Sequence, residues 1–175
     1  KPERTVVFIA FSGEESGLLG SAHYVKDLER KDKNRLKNIM AVVNLDTVGR
    51  LSGQKKLMVF GGSSAREWKF IFMGIGYTVG VETQLITQQL PSGDQESFIK
   101  AGIPGIQLCT GPHADYHRPT DRADKIAVEG LVKVAAAAKE AVVYLSGRKD
   151  PLTFTGAGAA ATAGPSASHP AKAQS

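Results

Sequence analysis

An α/β domain, with a mostly parallel central sheet and helices on both sides, is the architecture this sequence predicts. Three observations predict it. Short, nearly continuous apolar runs at residues 6–11, 39–46 and 104–108 read as strands buried on both faces, as in a sheet covered by helices. Segments with apolar residues at helical spacing alternate with those runs. Loops bearing acidic residues or histidine follow three of the runs, and open α/β sheets place their ligands at the carboxyl ends of their strands.

The first run, Val6-Val7-Phe8-Ile9-Ala10-Phe11, reads as a central strand. Leu18, Ala22, Val25 and Leu28 then recur at helical spacing, so a helix follows within a few residues. Between them, Glu14 and Glu15 occupy a glycine-punctuated turn whose backbone can come close to a ligand, near a helix amino terminus that favours negative charge. A lone Glu-Glu pair is ordinarily a solvated turn; its context distinguishes this one. Residues 26–37 mix both signs of charge, which reads as a solvated face and loop and not as a nucleic-acid footprint. His23, on the same helix, reads as a surface residue.

Residues 39–46 form the second predicted strand, closing on Asp46, a costly place for a charge unless it is paired or binds a metal. Residues 56–60 read as a third strand, after which Ser63 or Ser64 caps a helix over 65–73 that turns Trp68 and Phe72 inward. A further strand is expected over 79–86. Pro91-Ser92-Gly93-Asp94 breaks the chain, and Asp94 is expected either to cap a short helix ending at Gly102 or to act in the site directly. Residues 104–108 form another strand, leading into a loop over 110–121. Residues 126–145 read as an Ala-rich helix with Ile126, Leu131, Val134, Ala138, Val142 and Leu145 as its core stripe.

The folded domain is therefore expected over residues 1–150, with 151–175, rich in Ala, Gly, Ser, Thr and Pro, as a disordered tail or linker. His169 falls in that tail. The 175 residues suffice for one domain with a core, and the net charge is +5. The chain opens on Lys1 and enters a strand almost at once, so the amino-terminal part of the domain is expected to be missing. Cys109 is the single cysteine; it has no internal disulfide partner and reads as a small buried residue. No apolar stretch has the length of a membrane span, and no signal peptide is visible.

Three strand ends thus carry Glu14 with Glu15, then Asp46, then His117 with His113 and Asp115 nearby. Carboxylates with imidazole suit zinc or a similar divalent ion, and the lone cysteine argues against a thiolate site. Without a cation the three acids would repel one another, and at least one pKa should rise.

Ser12-Gly13-Glu14-Glu15-Ser16-Gly17-Leu18-Leu19-Gly20-Ser21, Asn44-Leu45-Asp46-Thr47-Val48-Gly49-Arg50 and Asp115-Tyr116-His117-Arg118-Pro119-Thr120-Asp121 resemble, in order and spacing, the signatures of the co-catalytic zinc aminopeptidases of peptidase clan MH. Gly93-Asp94-Gln95-Glu96-Ser97-Phe98, followed by Ala101-Gly102-Ile103-Pro104, resembles another landmark of that family. The resemblance implies a three-layer αβα zinc-exopeptidase fold and hydrolysis of amino-terminal peptide bonds. It implies Glu14 as general base, Glu15 and His117 as ligands of one zinc, Asp46 as ligand of a second, and Tyr116 as a phenol polarising the scissile carbonyl. Asp121 is expected to order the loop.

Two departures qualify the resemblance. The family's His-x-Asp segment and bridging Asp, which precede the Glu-Glu loop, have no counterpart here, and Gln95 stands where relatives often carry His. The expectation is a fragment of a metallo-aminopeptidase that by itself binds zinc weakly or at a single site and has little activity. Two ions are expected in the complete protein. A single-zinc glutaminyl cyclase and a non-catalytic binding domain of the same fold are the alternatives. Peptides are the expected partners, with further domains before residue 1 and after the tail; an exported location follows from the resemblance alone.

Overall fold

A computed structural model of the chain describes residues 2–88 and 93–156. Among the described residues, strands β1 (Val42–Leu45), β2 (Leu57–Phe60), β3 (Thr83–Leu85) and β4 (Gly105–Cys109) form one sheet in the order β1-β4-β2-β3. β1 runs parallel to β4 and β2 parallel to β3, while β2 meets β4 antiparallel, so the sheet is mostly parallel as its apolar runs predicted. All five residues of β4 are buried, as a strand flanked on both edges and covered on both faces should be.

Helices α1 (Leu19–Lys31), α2 (Lys33–Lys37), α3 (Trp68–Val79), α4 (Gln95–Lys100) and α5 (Val128–Gly147) cover this sheet. Alternation along the strands sorts them into two layers. Val43, Ile106 and Leu108 join a large cluster with Trp68, Phe72 and Ile75 of α3 and Val134, Ala138 and Leu145 of α5. Val42, on the other face, packs with Val25 of α1 and Phe98 of α4. There Phe11, Tyr24 and Phe98 form a triangle of rings with centroids 5.8–6.1 Å apart. Successive residues of β1 and β4 thus point to opposite helix layers, and Asn44 and Gln107 share the face that carries α4.

Several expectations are corrected. Residues 6–11 pair with no strand among the described residues, and Phe8 is 90% exposed. A run apolar on both faces needs ladder partners and cover on both sides, and here Val7, Phe8 and Ile9 are exposed while Phe11 at its end packs against Tyr24 and Phe98. The helix predicted over 65–73 spans Trp68–Val79 without a serine cap. Ser64 Oγ instead donates to Gly105 O at 2.8 Å and accepts from Trp68 Nε1 at 2.9 Å and Gly105 N at 3.1 Å, fastening α3 to β4. The short helix α2 lies where a loop was expected; Asp32 caps it by accepting from Asn34 N at 2.8 Å. Along α5, Gly130, Ala137 and Ala141 join the buried stripe, whereas Ile126 precedes the helix and is 41% exposed.

Residues 151–156, expected in the tail, pack on the domain. Leu152 is buried, Phe154 bridges Ala65, and Thr155 N donates to Ser64 O at 2.9 Å. The rest of the expected tail, with His169, lies outside the described residues, as do Pro91 and Ser92 of the expected turn. Among the described residues no helix is long and apolar enough to cross a membrane.

Candidate metal and catalytic site

The loop from Ser12 to Leu18 is wound by left-handed backbone at Gly13 (φ 70°), Gly17 (φ 98°) and Leu18 (φ 60°). Gly17 N and Leu18 N both donate to Glu14 O, at 3.0 and 2.9 Å, closing a tight turn ahead of α1. Gly20 is required there, because a Cβ would sit 2.5 Å from Ser12 O. Glu14 and Glu15 are thereby held side by side.

Asp46 follows β1 directly. The exits of β1 and β4 are stapled together: Thr110 donates to Thr47 O from both its backbone N, at 3.0 Å, and its Oγ1, at 2.6 Å. Thr47 adopts φ 53°, a left-handed turn that ends the strand just beyond Asp46. The Asp46 carboxylate accepts from Gln107 Nε2 at 3.0 Å and from Thr47 Oγ1 at 3.2 Å.

His117 lies in a run of turns closed by Tyr116 N to His113 O and Arg118 N to Asp115 O, and itself has φ 57°. Its ring stacks on Tyr116, centroids 3.9 Å apart, and its Nε2 comes within 2.9 Å of Glu15 Oε1. Ion pairs secure this loop to the exit of β1. Arg50 pairs with Asp121 and lies 3.5 Å from Asp115, and Lys125 also pairs with Asp115. Hydrogen bonds from Lys125 and Thr120 hold the Asp115 carboxyl at about 2, below the usual carboxylate range.

Electrostatics show that the loops converge. Burial first, and then the charges of Glu15, Asp46 and Asp94, raise the Glu14 carboxyl above its usual value, against a backbone hydrogen bond from Gly93. Burial, followed by Glu15, Asp46 and Glu14, raises the Tyr116 phenol. Four carboxylates that push up a neighbour's pKa are a field a cation would relieve. Asp94 occupies the position before α4 but makes no side-chain cap, and its buried Oδ1 has no partner among the described residues. Its charge bears on Glu14 instead.

The structure therefore brings Glu14, Glu15, Asp46, Tyr116 and His117 to one rim, with Glu15 and His117 in direct contact. Asp46 stands apart from that pair, and among the described residues no three His, Cys, Asp or Glu side chains cluster closely enough to hold one ion. Carboxylate and imidazole donors of the kind carried by Glu15, Asp46 and His117 are ones that zinc accepts. His113 sits beside Tyr116, ring centroids 6.0 Å apart, and faces Asp121. Cys109 is buried, as expected, and burial pushes its thiol up. Gln107 and Arg50 are supporting residues that the sequence alone does not mark. A lone polar residue inside an apolar strand was the available signal for Gln107; for Arg50 there was only its place in the strand-exit motif.

A family model described as "Peptidase family M28" matches residues 1–142. Aminopeptidase YwaD of Bacillus subtilis (strain 168) is 33% identical over 153 residues, covering 80% of this chain and 32% of that protein. A solved zinc aminopeptidase of B. subtilis superposes with a TM-score of 0.64 at 31% identity, covering 77% of this chain and 34% of the other. A glutaminyl cyclase from an Acidobacteriales bacterium shares the fold, with a TM-score of 0.57 at 17% identity over 75% of this chain and 46% of the other. The chain spans about a third of the length of the Bacillus aminopeptidase.

Proposed function

The chain belongs to peptidase family M28, and from that premise we propose that it carries part of the active site of a zinc aminopeptidase releasing amino-terminal residues from peptides. The observation that carries the reading is the meeting of Glu15 and His117, 2.9 Å apart, on a rim that also holds Glu14, Asp46 and Tyr116. Names of relatives support it: both Bacillus proteins are called aminopeptidases, one of them a zinc aminopeptidase.

In this reading Glu15 and His117 hold one zinc and Asp46 contributes to a second. Bound zinc supplies Lewis-acid polarisation of the carbonyl and makes water acidic enough to attack near neutral pH. Glu14 takes the proton from the attacking water and passes it to the departing amide nitrogen as the C–N bond breaks. Tyr116 offers its hydroxyl to the carbonyl oxygen.

Glu14→Ala in the intact protein should cut turnover of amino-acid p-nitroanilides by roughly 100-fold or more while zinc content stays near normal. Retained turnover would refute the base assignment. Cyclisation of glutaminyl peptides in place of anilide hydrolysis would move the protein to the cyclase reading.

A further inference from the structure

Asn44 lies beside Gln107 in the parallel pairing of β1 with β4, both on the face that carries α4. Gln107 is 4% exposed in the central strand of the sheet, where its neighbours Ile106 and Leu108 are fully buried apolar residues. An amide there costs free energy unless its polar atoms are matched. Among the described residues only half of it is: Nε2 donates to Asp46 Oδ2 at 3.0 Å, while the buried Oε1 has no hydrogen-bond partner there. Turning the amide over would set its oxygen against the carboxylate, so the donor must face Asp46.

Room for this amide comes from Gly93, which has φ 85°; a Cβ there would overlap Oε1 of both Gln107 and Gln95. Asn44 Nδ2 donates to Gln95 Oε1 at 3.0 Å, bracing the same pocket from β1. The Gly93 backbone also bears on Glu14, lowering its carboxyl against the burial and charges that raise it. One glycine thus admits the amide that holds Asp46.

We propose that Gln107 is a positioning residue that fixes the Asp46 carboxylate for zinc, in the space Gly93 leaves open. This rests on the reading of Asp46 as a zinc ligand. A carboxylate free to turn about its last torsion presents its oxygens to a metal only part of the time. With Oδ2 tied to a side chain packed into the sheet, the carboxylate keeps one orientation at the rim.

The test uses the intact protein and zinc alone, with affinity read by competition against a chelator. Gln107→Met keeps the length and removes the donor; Gln107→Asn keeps an amide but withdraws it by one methylene, a gentler change for folding. Both should weaken zinc binding roughly 10- to 100-fold, as loss of a partner that orients a ligand does, and lower kcat with KM little changed. In the unchanged protein the Gln107 side-chain amide resonance should shift when zinc is added, a measurement that needs no substitution. If Asp46→Ala loses zinc but both Gln107 variants bind it within twofold of the unchanged protein, or if the amide resonance stays put, this inference alone is overturned. If the unchanged protein takes no zinc, or Asp46→Ala binds it normally, the ligand reading falls and this one with it.

Discussion

Nε2 of His117 lies 2.9 Å from Oε1 of Glu15, joining the loop after β4 to the loop before α1. Their side chains are 54% and 73% exposed, and so open a pair adds little to stability. What holds it is the backbone: left-handed turns at Gly13, Gly17, Leu18 and His117 present both side chains to the same point. Such turns are costly for non-glycine residues and concentrate at functional sites.

Zinc should bind this chain weakly and with a stoichiometry of no more than one. Two contacting donors do not make the tetrahedral set a tight site needs, and Asp46 is not beside them. Calorimetric titration of residues 1–175 is the check, and His117→Ala or Glu15→Gln should erase the signal. Two tight sites on this chain would contradict the ligand assignment.

Arg50→Ala in the intact protein should lower kcat/KM roughly 10-fold, within the usual range for a residue that holds a ligand in place. Arg50 and Lys125 share the carboxylates of Asp115 and Asp121, and these tie the loop bearing Tyr116 and His117 to the exit of β1. Arg50→Lys keeps the charge but loses the planar guanidinium whose Nη2 meets both carboxylates, so it should rescue only in part. Faster hydrogen exchange across residues 113–121, with the β4 amides unchanged, would locate the effect in the loop. Full activity in Arg50→Ala would show that the loop holds its shape without the clamp.

Ser64→Ala should destabilise the fold by about 1–3 kcal/mol, because Trp68 Nε1 and both Gly105 backbone groups lose a buried partner together. Ser63→Ala, one residue earlier, should stay within about 0.5 kcal/mol. Urea unfolding of the two variants distinguishes a serine that fastens α3 to β4 from one that merely precedes a helix. Equal effects would remove that distinction.

That pair of serines also shows where the sequence was legible. Patterns confined to a few residues came through: the apolar run of β4, the inward Trp68 and Phe72 of α3, and the glycine-flanked Glu14 and Glu15. Features set by partners distant in sequence did not. Ser64 resembles a helix cap until Gly105 is seen beside it, and Asp94 does too until Glu14 is. Residues 6–11 have the composition of an interior strand, but burial depends on what lies alongside, and Val7, Phe8 and Ile9 are exposed here. The Gly and Pro content beyond residue 150 masked a short alternation, Leu152 and Phe154 against Thr153 and Thr155, that was the signal for a docked segment. Gln107 was in plain view, but its meaning required the register that sets β4 against β1.

The docking of residues 151–156 should loosen in acid. Thr153 donates to Glu67 from its backbone N, 3.0 Å from each carboxylate oxygen, and from its Oγ1 at 2.9 Å. Burial pushes the Glu67 carboxyl upward, but these hydrogen bonds and the charge of Arg148 outweigh it and leave the folded-state pKa below the usual 4.5. For a carboxylate depressed on folding, the contribution is fully present above the unfolded value and is lost as pH falls through the folded one. Protection of the Thr153 amide, corrected for its intrinsic exchange rate, should therefore be steady from neutral pH down to about 4.5 and decline below that. Glu67→Gln keeps an acceptor without the titrating charge, so its protection should be lower at neutral pH and flat across the same window. A decline of equal size in the Gln variant would place the acid sensitivity somewhere other than Glu67.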